Sequence, residues 1–511
     1  MLFNSYIFIL LFLPLTVSVY FLINKLREQK RGKLDLWWLF VMSLWFYGYS
    51  NPSYLLLILF SIFINYFVSK RISKNRESMK RNIAKRWMIT GVVFNLALLF
   101  CFKYYDFFIS NLNILFKEDW VLKNIALPLG ISFFTFQQVS YIVDSYRDKE
   151  IIKYRFVEYA SYVAFFPQLV AGPIVMHSEL IPQMKDVAKK KINFDNMSQG
   201  LYALALGLGK KVLLADTLSK IVNIGYGSVF SLNAVSTIVI MVSYTLQIYF
   251  DFSGYCDMAL GMAKMFNMDL PFNFNSPYKA KSVNEFWDRW HMTLSRFFLH
   301  YVYIPLGGSR KGKIRTYVNT AIVFLLSGIW HGANWTFILW GIIHGFFNVC
   351  EKILMDLFKK TKKVKNEINT RVSAILKVVK NLLGYIYMFM FINTTWVVFR
   401  AESIADIKRM YQSLAIKTGG ISELITSKVN DLVEVRLLAR LGFLDLFERY
   451  PTFPCVSFLI ILLIAVYFCK NTQEKMANSQ FGVKRSLITI LLIVWSVISL
   501  SDVSEFLYFN F

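Results

Sequence analysis

Phe286-Trp287-Asp288-Arg289-Trp290-His291 and Gly328-Ile329-Trp330-His331-Gly332-Ala333-Asn334-Trp335 decide how this chain reads. The first stretch is followed by Tyr303-Ile304-Pro305-Leu306-Gly307-Gly308. Each sets a histidine among tryptophans in strongly apolar sequence. Only five histidines occur in the 511 residues: His177, His291, His300, His331 and His344. A titratable base in or near hydrocarbon is costly, and by default it marks a functional site. A neutral imidazole is also the side chain best matched to proton transfer near neutral pH.

Working outward, the surrounding chain is that of a membrane protein. Hydrophobic residues make up 56% of it and mean hydropathy is +0.45, which excludes a disordered or ordinary soluble chain. Charged residues are only 17%, yet the formal net charge is +25. A basic excess raises nucleic acid as a partner. Here the charge sits in short loops between apolar runs, as the positive-inside rule expects, so no nucleic-acid partner is predicted. The first such loop carries Lys25, Arg27, Lys30, Arg31 and Lys33. The five cysteines are scattered without a CxxC pair, so neither a metal site nor a disulfide framework is expected.

Residues 2–24 are long enough to cross a bilayer as one helix, and they read as a retained span rather than a removed leader. Residues 34–49, the turn Asn51-Pro52-Ser53 and residues 54–68 read as a helical hairpin with basic loops on one side. Further apolar runs follow at 87–102, 125–143, 156–175, 201–224, 234–250, 317–329, 335–349, 375–397, 453–468 and 487–500. The expected fold is therefore an all-α integral membrane protein with about 11–13 membrane segments, some re-entrant. Residues 1–405 are expected to form one membrane domain. Residues 406–511 would be a C-terminal extension with about two further membrane helices.

Ser282 followed by Glu285 is a capping-box signature, so a helix is predicted to begin there. Trp287, His291, Leu294 and Phe298 would lie along one stripe of it, ended by Pro305-Leu306-Gly307-Gly308. His331 is the candidate general base, taking a proton from a hydroxyl that attacks an acyl carbonyl. Gly328 and Gly332 would leave room for substrate or for close helix packing. The competing reading is a histidine hydrogen-bonded within the helical bundle. His291 is a candidate assistant that positions substrate or polarises its carbonyl. His344 reads as structural, and His177 and His300 have no evident partner. Trp290, Trp330, Gln168, Asp251 and Asn334 are candidate substrate contacts. Asn334 is placed three residues after His331 on the same helical face. Pairing is the usual fate of an intramembrane acid, and Arg289 or Arg296 would serve Asp251. The prolines of Phe165-Phe166-Pro167-Gln168 and Ala171-Gly172-Pro173 should break a span and open a cavity near Gln168. No GxxxxGK[ST], GxSxG or HExxH motif occurs, which argues against ATP-driven transport, a serine hydrolase and zinc proteolysis.

These residues resemble the membrane-bound O-acyltransferases, in particular their bacterial alginate O-acetyltransferase branch. The matching stretches are Leu127 to Gln137, Phe166 to Ile174, Tyr249 to Met258, Asn284 to Ser295, Tyr303 to Gly308, Gly328 to Gly341 and Trp396 to Glu402. The likeness runs in order from about residue 40 to residue 405. It implies a ring or funnel of helices around a thin membrane centre. The near-invariant histidine of the family falls on His331 and its second histidine on His291. By the same resemblance, acetyl-CoA is the cytoplasmic acyl donor, and no bound cofactor is expected. The acceptor is an exported or cell-surface polysaccharide, reached with an extracytoplasmic esterase-like partner. The location is the bacterial cytoplasmic membrane. One departure stands out: Leu299 and His300 occupy places where the branch commonly carries Arg-Asp. D-alanyl transfer to teichoic acid and a non-enzymatic polysaccharide-export subunit are the alternatives.

Overall fold

The computed structural model describes residues 1–26, 33–148, 150–229, 232–361, 370–477, 482–500 and 506–507. Arg27, Lys30 and Arg31 of the first basic loop, and residues 362–369, lie outside these. Among the described residues the structure is helical, with no strand. Among the described residues six helices are long and apolar enough to cross a membrane: Ile7–Leu26, Ser53–Glu77, Arg81–Phe116, Ala234–Met265, Trp335–Leu357 and Lys377–Arg400. A bent pair, Val433–Arg449 with Phe453–Phe468, makes a seventh if counted as one span.

The expected 11–13 segments, some re-entrant, are therefore not all uninterrupted spans. Hydropathy finds apolar runs, and several of these runs are not single helices. Residues 156–175 fold as Phe156–Ala164 and the one-turn Phe166–Leu169, then leave helical geometry. Residues 201–224 divide between Phe194–Leu208 and Asp216–Gly227, joined by the widened turn Gly209–Ala215. The run at 125–143 becomes helical only from Ile131, after Gly130 at φ +72. A Cβ on Gly130 would stand 2.7 Å from the Leu169 carbonyl oxygen, so only glycine fits that turn.

The chain divides into two compact units. The first comprises Met1–Gly209, Gly254–Phe272 and Met476–Phe511. Its helices Ser53–Glu77, Arg81–Leu99, Ile131–Arg147 and Phe156–Ala164 share a buried amide network. Asn65 Nδ2 donates to Gln138 Oε1 (2.7 Å) and Asn95 Oδ1 (3.1 Å), and Gln138 Nε2 donates to Ser61 Oγ (3.0 Å). Each polar group here finds another, which is the condition for carrying amides at membrane depth. His177 gains the partners the sequence did not reveal. Its Nδ1 lies 3.1 Å from Tyr154 Oη and its Nε2 3.3 Å from Asp144 Oδ2.

The second unit comprises Lys210–Ser253 and Asn273–Lys475. Residues after 405 therefore contribute to both units. Within the second, the helices Lys313–His331 and Trp335–Thr361 fold back on each other with glycines at their closest approach. A Cβ on Gly328 would meet the Phe337 carbonyl oxygen at 2.4 Å, and one on Gly341 the Phe324 carbonyl oxygen at 2.6 Å. Small residues at such a seam let backbones touch and gain dispersion energy that lipid-facing side chains cannot supply.

Candidate active site

His331 is the last residue of the helix Lys313–His331, and Gly332 continues in extended geometry at φ −169. The imidazole is buried in a box of rings. Centroids lie 4.9 Å away for Trp330, 5.2 Å for Trp340 and 5.1 Å for Phe399. One feature favours a positive charge there once a proton arrives. The helix C-terminus carries the negative end of the macrodipole.

The glycines beside His331 hold no space for substrate. Gly328 is filled by the helix seam, and a Cβ on Gly332 would stand 2.2 Å from the Phe337 ring. The expected position of Asn334 is also corrected. Because the helix ends at His331, Asn334 does not share its face. Asn334 lies in the connection, where its Oδ1 accepts from Thr336 N (3.1 Å) and its Nδ2 donates to the Glu402 carbonyl (2.8 Å).

The expected single helix through His291 is two. Ser282 does cap the first, its Oγ accepting from Glu285 N at 3.1 Å. That helix, Val283–Trp287, stops, and His291 adopts a left-handed conformation (φ +46) before Met292–Phe298 begins. A left-handed non-glycine residue is strained and persists only where its surroundings hold it. Asn273 is what holds it. Its carbonyl accepts from Met292 N (3.0 Å), while its Oδ1 takes Thr293 N (3.2 Å), Thr293 Oγ1 (2.9 Å) and His291 Nδ1 (3.1 Å). The Thr293 amide can only donate, so the atom facing it is the amide oxygen. His291 Nδ1 must then carry the proton, which puts the basic lone pair on Nε2. Burial lowers the His291 pKa to about 3, so the ring is neutral at physiological pH.

His291 also packs edge-on against Phe252 (4.8 Å) and Trp330 (6.1 Å). The Trp330 indole thus touches both histidines. Trp290 is buried among Phe274, Phe286 and Trp396, at 5.0, 5.5 and 5.1 Å. His344 is placed structurally, as expected. Trp287 Nε1 donates to its Nδ1 at 3.2 Å, which occupies the basic nitrogen. His300 Nδ1 lies 2.9 Å from the Arg296 carbonyl oxygen.

Asp251 is paired, though not with either arginine named from sequence. Lys211 Nζ lies 2.7 Å from Asp251 Oδ1 and 2.9 Å from Asp216 Oδ1, all three largely buried. Arg289, just past the short helix Val283–Trp287, is taken by Glu285 of that helix (2.9 Å). Gln168 belongs to the first unit, whereas the two histidines belong to the second. The break at Phe165 sends the Phe166 amide to Ser43 Oγ (3.2 Å), and Gln168 Nε2 donates instead to the Tyr162 carbonyl (2.7 Å). Its side chain thus repairs the broken helix. Among the described residues no group of His, Cys, Asp and Glu could hold a metal ion.

Sequence reasoning missed two anchors. Asn273 is one. Glu351 is the other: its carboxylate accepts from Val283 N (2.8 Å), Asn284 N (3.0 Å) and Asn284 Nδ2 (2.8 Å), capping the helix that precedes His291. Nothing in their local sequence sets them apart. A cavity of about 300 Å³ also opens beside Trp287 and Ser327, with Asn348, Thr320 and Lys352 on its wall.

Residues 83–395 match the family described as MBOAT, membrane-bound O-acyltransferase. The chain belongs to the membrane-bound O-acyltransferase family. It is a multi-pass membrane protein and an O-acyltransferase. The peptidoglycan O-acetyltransferase of Helicobacter pylori is 36% identical, over 100% of this chain and 98% of that protein. The probable alginate O-acetylase AlgI of Pseudomonas aeruginosa is 35% identical, over 84% of this chain and 78% of its own length. A teichoic acid D-alanyltransferase of Bacillus subtilis is 26% identical over half of this chain.

Proposed function

We propose that this membrane-bound O-acyltransferase moves an acetyl group from cytoplasmic acetyl-CoA to a hydroxyl of an exported or cell-surface polysaccharide. The acceptor is reached through an extracytoplasmic esterase-like partner, and the enzyme sits in the bacterial cytoplasmic membrane. The observation that carries this reading is the pair of buried imidazoles resting on one indole, Trp330, in a chain of this family. Peptidoglycan is the first acceptor to test, because the relative named for it matches along the whole chain.

In this mechanism the His331 imidazole takes the proton from the acceptor hydroxyl as its oxygen attacks the thioester carbonyl. The tetrahedral adduct collapses, the carbon–sulfur bond breaks, and the new imidazolium returns the proton to the departing thiolate. The helix end stabilises that imidazolium while it exists. His291 offers a lone pair rather than an N–H at Nε2, so it orients a donor such as the acceptor hydroxyl and does not polarise the carbonyl. The cavity beside Trp287 gives the donor's arm room, with Lys352 on its wall as a cation toward phosphate.

The test is ester-linked acetate on purified envelope and exported polysaccharides, measured by NMR in wild-type, deletion and His331→Ala strains. General-base removal should cut the transfer rate by about 10²–10⁴-fold. Acetate lost from one polymer in both mutants supports the reading and names the acceptor. Acetate at wild-type level in every fraction, with normal protein abundance, overturns it. The half-length likeness to a D-alanyltransferase makes D-alanine esters the second product to assay in the same hydrolysates.

A further inference from the structure

The segment Val433–Arg449 has no part in the chemistry above, and its geometry is distinctive. It consists of two short helices, Val433–Leu438 and Leu444–Arg449, joined through Ala439–Phe443 with Gly442 at φ +111. It meets the helix Phe453–Phe468 at 106°. That bend is held on both sides. Phe447 lies between Phe443 and Phe453 at 6.2 and 6.4 Å, and Asn430 Nδ2 donates to the Pro451 carbonyl at 3.1 Å.

Phe453–Phe468 is apolar along its length, with Ile460, Ile461, Ile464 and Phe468 exposed as lipid-facing residues would be. If that helix crosses the bilayer, a segment nearly perpendicular to it at its end runs within the bilayer surface. The exposed side chains of the segment agree. Val433, Leu437 and Leu441 are 76%, 55% and 69% exposed and stand four residues apart, forming one helical stripe. Arg440 and Arg436, the latter paired with the exposed Asp431 at 2.9 Å, lie beside that stripe, where long basic side chains can reach phosphate while their stems stay in apolar surroundings. Beyond Phe468 the chain carries Lys470, Lys475, Lys484 and Arg485 against Glu474 alone.

We propose that Val433–Arg449 is an in-plane amphipathic segment seated in one leaflet of the bilayer. Its Val433, Leu437 and Leu441 stripe lies in the upper acyl region, with Arg436 and Arg440 at the phosphates. A partner protein is the competing occupant. The bilayer is favoured by the perpendicular setting and by continuity with the exposed apolar face of Phe453–Phe468. This inference is independent of the acyl-transfer reading.

The experiment uses the full chain in nanodiscs of phosphatidylethanolamine and phosphatidylglycerol. A spin label is placed at Val433→Cys, Leu441→Cys or Arg436→Cys, with native cysteines replaced by serine. Labels at 433 and 441 should collide more with oxygen than with a water-soluble nickel chelate, and the label at 436 should do the reverse. Labels at 433 and 441 as open to the chelate as the one at 436 would overturn the proposal. So would labels shielded from both reagents, the result expected of a stripe covered by protein. Should the cysteine-free chain not fold, the native chain is labelled with a carbene precursor dissolved in the bilayer. Peptides from 433–449 carrying that label support the seat, and peptides labelled only by a water-phase precursor refute it.

Discussion

Replacing Glu351 by alanine should loosen the segment that presents His291 without touching either histidine. The carboxylate accepts from the amides of Val283 and Asn284 at 2.8 and 3.0 Å, two of the unpaired N–H groups that open a helix. Hydrogen bonds to a charged group contribute about 1.5–3 kcal/mol each. Both partners are only partly buried, so the lower figure applies, and losing two such bonds costs about 3 kcal/mol. At 1.4 kcal/mol per factor of ten, the ratio of ordered to open segment falls by about a hundredfold. Glutamine keeps one acceptor oxygen and should cost about half as much, roughly a tenfold change. The direct assay is amide hydrogen exchange of the 283–291 peptide in lipid nanodiscs, alongside acyl-transfer turnover on the same preparations. Exchange should accelerate in the order wild type, Gln, Ala, and turnover should fall in parallel. Exchange in Glu351→Ala within about threefold of wild type would mean that Glu351 does not hold this segment, and the argument would fail.

Gly328→Ala places a methyl group 2.4 Å from the Phe337 carbonyl oxygen and should cost about 1–3 kcal/mol, read as a lowered thermal transition with reduced turnover. Lys211→Met strands the buried Asp251 and Asp216 together and should destabilise by about 3–5 kcal/mol, whereas Lys211→Met with Asp251→Asn should recover part of that in a thermal melt. His291 titrates at about 3 in the fold against 6.5 unperturbed. Its lowered pKa means the stability is fully present above pH 6.5 and is lost as pH falls toward 3. Between pH 6.5 and 5 that amounts to about 2 kcal/mol, so His291→Phe should show a visibly smaller drop in melting temperature over this range than wild type.

Much of the fold was legible because lipid imposes a simple rule. Apolar runs must be helical, and the runs at 54–68, 234–250, 335–349 and 375–397 all lie within long helices of the structure. Continuity was not legible. Gly130 and Phe165 interrupt runs whose hydropathy barely changes, because a turn depends on backbone geometry and on distant partners such as Ser43. The site divides in the same way. His291 and His331 stood out through their tryptophan neighbours. Asn273, Glu351 and Lys211 did not, since each sits in unremarkable local sequence and has a partner 18 to 68 positions away, His291, Val283 and Asp251 in turn. Asn334 was misplaced because Gly332 ends the helix one residue after His331, and spacing alone assumed that it continued.

The glycine seam between Lys313–His331 and Trp335–Thr361 carries a consequence for turnover. Backbones in contact at Gly328 and Gly341 cannot slide past each other without steric collision, and one of these contacts lies three residues before His331. The His331 imidazole, the base in the proposed mechanism, is therefore stationary. Under that mechanism each cycle would bring the acyl donor and the hydroxyl to a fixed point, and turnover would be governed by traffic into and out of the membrane interior rather than by any reach of the histidine.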